Sequence, residues 1–343
     1  MWLMNKINAE IICDSMSPKG DRITTYVLTY PRFIHSELMT HRVFSRNSAS
    51  SRAIPFYKMV ASVIEDPFIP IAWQKDHSGM QGTEYLPGKE NPNSPYWGWI
   101  NAKESALKAA IQFSESNITK QLCNRLLEPF LWHKVLVTAT EFSGFFELRC
   151  PKYAVNTEPD VFYKSRKELE KVHTLPYELN EWEWWNLSHS GAEIHIQALA
   201  EAMYDAMIES TPKSLKLGEW HMPFGDRINL EDFIRENIPS GTTIWHGSLE
   251  NELKLKVATA RCARTSYNNF DGKIDYHKDI QLHDNLLENK HMSPFEHCAQ
   301  VPTISNYNLG VGSGFTHSDS KGHLWSGNFK GWIQYRQLIQ KPL

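Results

Sequence analysis

The stretch RITTYVLTY, residues 22–30, decides the fold of this chain more than any other. It is rich in β-branched and aromatic residues, a composition that predicts a strand. Pro31 follows and permits a helix to begin, because proline is tolerated at the first helical position. Ile34 and Leu38 then form an apolar pair four residues apart, which predicts a helix. A strand and a helix therefore lead directly into the polar segment that comes next.

That polar segment, HRVFSRNSASSR at residues 41–52, is the most informative part of the sequence. No acidic residue occurs anywhere from Leu38 to Ile64. Arginine forms bidentate hydrogen bonds with phosphate, and clustered Ser and Asn add further donors, so the segment suits a phosphorylated ligand. On composition alone, a solvated basic loop with capping serines explains it equally well. The basic residues of this stretch are His41, Arg42, Arg46, Arg52 and Lys58.

Apolar residues at helical spacing predict further helices at residues 102–114, 118–127, 141–149, 192–208, 253–267 and 280–288. Residues 66–99 hold many Pro, Gly and Asn and are predicted to form a long irregular excursion, either a lid or a subunit contact. Residues 150–190 are polar, charged and rich in Trp, which indicates an insertion. The pattern changes near Pro239, so we predict a main region at 1–240 and a C-terminal region at 241–343.

The composition of the chain predicts a folded protein in a reducing compartment. With 41% hydrophobic residues, the 343-residue chain has enough apolar material for a substantial core. Its net charge of −3 gives no overall basic field for non-specific nucleic-acid binding. The 5 cysteines are odd in number and form no CxxC pair, which predicts free thiols. The sequence has no signal-peptide layout and no run of 18 apolar residues, so we expect a soluble, cytoplasmic protein without a membrane partner.

The spacing HRxxSxNxxSxR closely resembles the signature of flavin-dependent thymidylate synthases, the thymidylate synthase complementing family. Three further segments are similar to that family: NRLLEP at 124–129, EFSGFFELR at 141–149 and IQALA at 196–200. ARTSY at 263–267 and HMSPFEH at 291–297 resemble two segments that normally open the family's chains. Their late position implies a circular permutation or a partial duplication, so the active site would have to be reassembled in space.

The resemblance implies an α+β fold with a small mixed sheet flanked by helices. It also implies a homo-oligomer whose active sites are shared between subunits. The implied reaction uses NADPH to reduce FAD, after which a one-carbon unit from methylenetetrahydrofolate becomes a methyl group at C5 of dUMP. Such a flavin route also fits the lack of a convincing cysteine nucleophile, since Cys150 is the only candidate and a buried inert thiol explains it better.

The resemblance also implies particular site residues. Arg149 would be catalytic, because it would polarise the pyrimidine and stabilise charge as C5 becomes nucleophilic. The implied substrate-binding residues are Glu37, Ser50, Arg52, Arg125 and Arg149. The implied cofactor-binding residues are His41, Arg42, Ser45, Asn47, His291, Ser293, Glu296 and His297.

The segment Ser293–Glu296 allows a structural and a functional interpretation. Ser293, Pro294 and Glu296 have the pattern of a capping box, which would start a helix. The same helix N-terminus would attract an anionic cofactor. A metal site is not expected, because the spacing of the nearby histidines is not of the HExxH type. Those histidines are His277, His283, His291 and His297.

Four positions depart from the family pattern. Thr40 replaces the first Arg of the basic triplet, and Ser48 replaces an acid. Thr138 replaces an Asn beside the flavin, and Glu37 replaces a Gln that meets the substrate. A carboxylate at position 37 would repel a phosphate, but near a base edge it could accept from the amino group that cytosine has and uracil lacks. Alternatively, Glu37 pairs with Arg42 or Arg46.

Three alternative functions remain open. An enzyme of the same architecture could make another C5-modified pyrimidine, such as a hydroxymethylated dUMP or a modified dCMP. A non-catalytic nucleotide-binding relative could have lost the cofactor through its altered contacts. A nucleic-acid binder that uses residues 42–52 conflicts with the mild acidity of the chain.

Overall fold

The computed structural model describes residues 6–78, 84–86, 91–155, 158–174, 178–179, 181–237, 246–265 and 275–340. Within these residues the chain is a mixture of helices and small sheets, as predicted. The helices are α1 (His35–Met39), α2 (Phe56–Glu65), α3 (Pro95–Glu115), α4 (Lys120–Arg125), α5 (Ser143–Arg149), α6 (Arg166–Val172), α7 (Glu181–Leu187), α8 (Ile194–Glu209), α9 (Glu231–Asn237), α10 (His246–Arg264), α11 (Tyr276–Glu288), α12 (Ile304–Leu309) and α13 (Tyr335–Ile339).

The strands form one larger sheet and several small ones. Their bounds are β1 (Asn8–Met16), β2 (Arg22–Pro31), β3 (Ser45–Ser48), β4 (Trp73–Gln74), β5 (Tyr85–Leu86), β6 (Trp132–Ala139), β7 (Tyr153–Val155), β8 (Glu158–Tyr163), β9 (Lys213–Ser214), β10 (Trp220–His221), β11 (Ala299–Gln300), β12 (His317–Ser318), β13 (Leu324–Ser326), β14 (Phe329–Lys330) and β15 (Ile333–Gln334). The larger sheet has the strand order β3-β6-β2-β1-β9. It is mixed, because β9 runs parallel to β1 while the other neighbouring strands are antiparallel.

The stretch at 22–30 forms β2 at the centre of this sheet, and both of its faces are covered. Side chains alternate between the faces of a strand, so Tyr26, Leu28 and Tyr30 point to one side. There they pack with apolar residues of α5 and α8 in the main core. On the other side, Ile23 packs with Trp332 and Val27 packs near Phe224, so the C-terminal part of the chain covers this second face.

The predicted insertion at 150–190 has a small core of its own. Strands β7 and β8 pair as an antiparallel hairpin. Tyr153, Tyr163, Leu169 and Trp184 are buried together between this hairpin, α6 and α7. The described residues between 150 and 190 thus pack around a small core of their own.

Most predicted elements are confirmed, with two corrections. Residues 45–48, predicted to follow the helix as a polar segment, form the edge strand β3 because their backbone pairs with β6. The excursion at 66–99 contains the β4–β5 pair and ends at Pro95, where Ser94 caps α3. The predicted boundary at 240/241 and the residues Ser266 and Tyr267 lie outside the described residues. None of the described helices is long and apolar enough to cross a lipid bilayer.

Candidate functional site

A row of polar residues crosses the second face of the larger sheet. The strand register places Ser45 opposite Thr138, Thr138 opposite Thr25, and Thr25 opposite Cys13. Neighbouring strands lie about 4.8 Å apart, so short side chains on one face can reach each other. The hydroxyls of Thr25 and Thr138 are 2.8 Å apart, and both residues are fully buried. The row therefore forms a buried polar line beneath the C-terminal part of the chain.

His297 reaches this line from the C-terminal side. Its Nδ1 lies 2.8 Å from the Thr138 hydroxyl. The ring is fully buried, and burial is the main reason that its pKa falls to about 3. The imidazole is therefore neutral at physiological pH, and it joins the main region to the HMSPFEH segment.

Ser45 and Asn47 join the same two parts of the chain. The Ser45 hydroxyl donates to Glu296 Oε2 at 2.9 Å, and Arg336 forms an ion pair with the other oxygen of Glu296. Ser293 donates a hydrogen bond to Asn47 Oδ1, and Asn47 donates to the backbone carbonyl of Cys262. We call these contacts, together with Thr138–His297, the latch. The predicted cofactor residues Ser45, Asn47, Ser293, Glu296 and His297 are thus brought together, although about 250 residues separate them along the chain.

The capping-box prediction for Ser293–Glu296 is wrong. These residues form a short 3₁₀ helix whose N-cap position is Met292, without a side-chain cap. The Ser293 hydroxyl donates to Asn47, and no side chain accepts a hydrogen bond from the first turn of this helix. The functional interpretation, in which this N-terminus attracts an anionic cofactor, stays a prediction.

Among the other predicted cofactor residues, Arg42 and His291 are exposed and His41 is half-buried. Arg42 and His291 are near the latch residues Ser45 and Ser293 in sequence. Beside Arg42, the Val43 carbonyl accepts from Asn328, which also contacts Ser45. His297 Nε2 is buried and has no hydrogen-bond partner within the described part of the chain. Arg42 and His291 are therefore open to solvent, whereas His297 Nε2 is a buried nitrogen without a protein partner in the described structure.

A second cluster lies at the end of α1 and α5, near the first face of the sheet. It consists of Glu37, His41 and Arg149, and each has one buried polar atom without a partner in the described structure: Glu37 Oε2, His41 Nε2 and Arg149 Nε. Burial raises the pKa of Glu37, and the charge of Arg149 opposes that shift. Burial also lowers the pKa of His41, with Arg149 as the next cause. We call these three residues the open cluster.

Arg46 does not pair with Glu37, contrary to one of the sequence-based alternatives. Its Nη1 donates to the carbonyl oxygens of Met39 at 3.0 Å, and of Leu38 and His41 at 3.4 Å. Arg46 therefore caps the C-terminal end of α1, where free carbonyls attract a cation. No ion pair joins Glu37 to Arg42 either within the residues that the structure covers. The sequence does not reveal this capping contact, because its acceptors are backbone atoms.

The remaining predicted substrate residues lie on two adjoining segments. The buried side chain of Asn124 donates to the carbonyls of Ser51 at 2.6 Å and Ile54 at 3.0 Å. This holds the segment that carries Ser50 and Arg52 against the helix that carries Arg125. Both arginines are exposed. Across the described ranges neither forms an ion pair, so both guanidinium groups are available to an anion.

A cleft of about 410 Å³ lies beside the Ser51 segment, between α2 and the start of β6. Arg32, Lys58 and Lys134 contribute positive charge to its lining, and Glu65, Asp66 and Glu128 contribute negative charge. Arg32 and Lys134 could not be singled out from the sequence, because each stands outside the basic motif.

Among the described residues, the cysteines form no disulfide and the histidines belong to no metal-binding group. Cys150 is buried, and burial raises its thiol pKa well above the ordinary range, so it is not an activated nucleophile. All five cysteines are free thiols. In the described residues, no group of three or more His, Cys, Asp or Glu side chains is arranged to hold a metal ion.

Comparisons with known proteins do not assign this chain to a family. No family model matches it, and no curated protein matches it. Two solved structures of the UMP/dUMP methylase PolB from Streptomyces cacaoi are similar to it. The one bound with 5-Br UMP has 17% sequence identity and a TM-score of 0.40, covering 59% of this chain and 89% of PolB. The one bound with 5-Br dUMP has 15% identity and a TM-score of 0.37, covering 55% and 66%.

Proposed function

We propose that this chain is a flavin-dependent enzyme of nucleotide metabolism that methylates dUMP at C5. The observation that carries the proposal is the open cluster. Buried polar atoms are paired in most proteins, so three unpaired atoms in one place favour a ligand with a complementary polar edge. The sequence motifs resemble those of an enzyme family whose ligand is a pyrimidine deoxynucleotide, and such a base offers that edge.

In this proposal, Arg149 is the catalytic residue. Its charge would stabilise negative charge on a base carbonyl while C5 acts as the nucleophile. The low-dielectric surroundings strengthen that interaction, because the Nε atom is buried. Glu37 and His41 would orient the base. Cys150 takes no part, since burial keeps its thiol protonated.

Ser50, Arg52 and Arg125 would bind the nucleotide phosphate. A phosphate dianion is best held by more than one guanidinium group. The Asn124 contacts place Arg52 and Arg125 on adjoining segments, and both are exposed. These residues therefore supply the charge that the phosphate requires.

The residues beside the latch fit FAD. Arg42 supplies a cation for an anionic cofactor, His291 supplies a ring nitrogen, and the unpaired His297 Nε2 supplies a buried polar contact. Ser45 and Asn47 would keep this side in place through the latch. When bound, the flavin would carry reducing equivalents from NADPH for the reduction of the one-carbon unit of methylenetetrahydrofolate. We also propose that the chain forms a homo-oligomer with shared sites.

A modified dCMP is a second candidate product. The unpaired buried oxygen of Glu37 is the observation that favours it. Arg46 is occupied by the end of α1, so the buried oxygen of Glu37 remains an unused acceptor. An ionised Glu37 would accept from the amino group of cytosine. A protonated Glu37 would instead donate to the carbonyl of uracil. The preferred nucleotide therefore depends on the protonation state of this carboxyl group.

The test is the absorption spectrum of the purified protein, followed by NADPH oxidation with dUMP or dCMP in the presence of methylenetetrahydrofolate. We expect a bound-flavin spectrum, nucleotide-dependent oxidation, and a product mass that corresponds to one added methyl group. Activity only with dCMP would support the second candidate, whereas a different added mass would contradict methylation. A colourless protein that binds nucleotide but neither takes up FAD nor oxidises NADPH would contradict both enzymatic proposals and favour a nucleotide-binding relative.

A further inference from the structure

The buried polar row extends beyond the latch and crosses the molecule. Ser15 Oγ lies 2.9 Å from His221 Nδ1, and His221 Nε2 lies 2.8 Å from Thr25 Oγ1. Thr25 Oγ1 is 2.8 Å from Thr138 Oγ1, which is 2.8 Å from His297 Nδ1. All five side chains are buried. Each link has the length of a good hydrogen bond, so the series is continuous.

The two ends of this series differ. Ser15 lines a cleft of about 340 Å³, together with Cys13, Asp14, Lys213 and Lys254. At the opposite end, His297 Nε2 is buried without a partner among the described residues. A purely structural network is expected to end in paired groups. This one begins at a cleft and ends at an unused nitrogen beside the latch.

The chemistry of the members allows a proton to pass along them. A hydroxyl group and a neutral imidazole can each donate one hydrogen bond and accept another. Burial lowers the pKa of His221 and of His297 to about 3, so both rings are neutral and neither would trap a proton as a stable cation. All five side chains of the series are therefore uncharged.

We propose that Ser15, His221, Thr25, Thr138 and His297 form a proton relay between water in the cleft and a nitrogen or oxygen atom of a ligand beside His297 Nε2.

The transfer balances at every step. A cleft water gives a proton to Ser15, and Ser15 gives its own to His221 Nδ1. His221 releases the proton on Nε2 to Thr25, which passes one to Thr138. Thr138 protonates His297 Nδ1, and His297 releases its Nε2 proton to the ligand atom. One proton enters, one leaves, and each member keeps its charge; reversal of the same steps returns a proton to the cleft.

The use of this relay during turnover rests on the proposed function, whereas the relay itself can be tested without any activity. The measurement is the hydrogen–deuterium exchange of the imidazole N–H protons in the full-length, ¹⁵N-histidine-labelled protein. Signals are assigned with His221→Gln and His297→Gln. Thr25→Val removes the central hydroxyl while keeping the side-chain shape. Thr24→Val is the matched control, because Thr24 is buried on the opposite face, where it donates to Asp14.

We expect Thr25→Val to slow exchange at His297 by about tenfold, and Thr24→Val to leave it unchanged. Thr25→Ser, which keeps a hydroxyl, should restore the wild-type rate. If Thr25→Val does not fold, Thr138→Val breaks the next link and tests the same relay. Equal exchange at His297 in wild type and in the folded valine variant would overturn the proposal. Absence of turnover with intact relay-dependent exchange would refute the proposed function and leave the relay standing.

Discussion

The latch and the open cluster come in part from nearly the same stretch of sequence, but the latch pairs its buried polar atoms apart from His297 Nε2, whereas each residue of the open cluster keeps one unpaired. In the latch, Ser45 and Asn47 are buried and paired with Glu296 and Ser293. In the open cluster, Glu37 and its neighbours keep buried atoms without partners. Paired buried groups stabilise and specify an assembly, whereas unpaired ones cost free energy unless a ligand satisfies them. The comparison indicates that one region holds the chain together and the other is built for binding.

The largest effect should come from Arg149→Ala in the open cluster. If Arg149 stabilises charge in the reaction, kcat should fall by about 10²–10³-fold, as for loss of other preorganised donors. The melting temperature should stay close to that of wild type, because no described residue relies on Arg149 Nε as a hydrogen-bond donor. Steady-state kinetics and thermal unfolding measure the two effects. Wild-type activity in this variant would remove Arg149 from the site.

Acid should destabilise the folded protein through its buried histidines. The pKa of His221 and of His297 is about 3 in the folded protein, against 6.5 for the ordinary side chain, so the unfolded chain binds more protons between these values. The free energy of unfolding should therefore be steady above pH 7 and fall as pH drops below about 6.5, by roughly 2 kcal/mol per buried histidine at pH 5. Buried Glu201, with a pKa raised to about 7, acts in the opposite direction. We expect the two histidines to outweigh it.

Urea unfolding between pH 5 and 8 measures this dependence. His221→Gln should make the profile flatter, whereas His317→Gln, at an exposed position, should keep the wild-type slope. Equal slopes in the wild-type protein and in His221→Gln would mean that His221 is not buried as a neutral ring.

Arg52→Ala tests the proposed phosphate-binding residues. Loss of one charge-assisted hydrogen-bonding group should raise the nucleotide Kd by about 10–100-fold and leave kcat nearly unchanged. Calorimetric titration with dUMP and dCMP measures the change. The control is Arg235→Ala, which removes an exposed arginine that pairs with Asp232 on α9. Equal losses in both variants would show a general charge effect and not a phosphate site.

The smallest effect is expected for Arg42→Ala, at the exposed edge of the latch. Removal of this cation should lower FAD occupancy severalfold, by roughly 1 kcal/mol, without destabilising the fold. The ratio of flavin to protein absorbance measures occupancy, and urea unfolding checks stability. Full occupancy in this variant would place the cofactor elsewhere.

Much of the local structure could be predicted, whereas the contacts of particular side chains could not. The strand at 22–30 and the helices at 102–114, 192–208 and 280–288 follow from side-chain periodicity, which is a property of neighbouring residues. The capping function of Arg46 depends on where the carbonyls of α1 end. The capping box of Ser293 did not form because the segment is a short 3₁₀ helix whose N-cap position is Met292, and the contact of Ser293 with Asn47 on a distant strand could not be predicted either.

The sequence by itself determined the position of the central strand, the basic segment at 41–52 and the residue types available for phosphate binding. Only the tertiary structure decided which polar side chains face inward and contact each other. Thr25, Thr138 and Ser45 share a row because the sheet register aligns them, and His221 and His297 join that row from segments far along the chain. The physical reason is that periodicity records which face a residue occupies, whereas a hydrogen bond depends on the position of a partner that neighbouring residues do not specify.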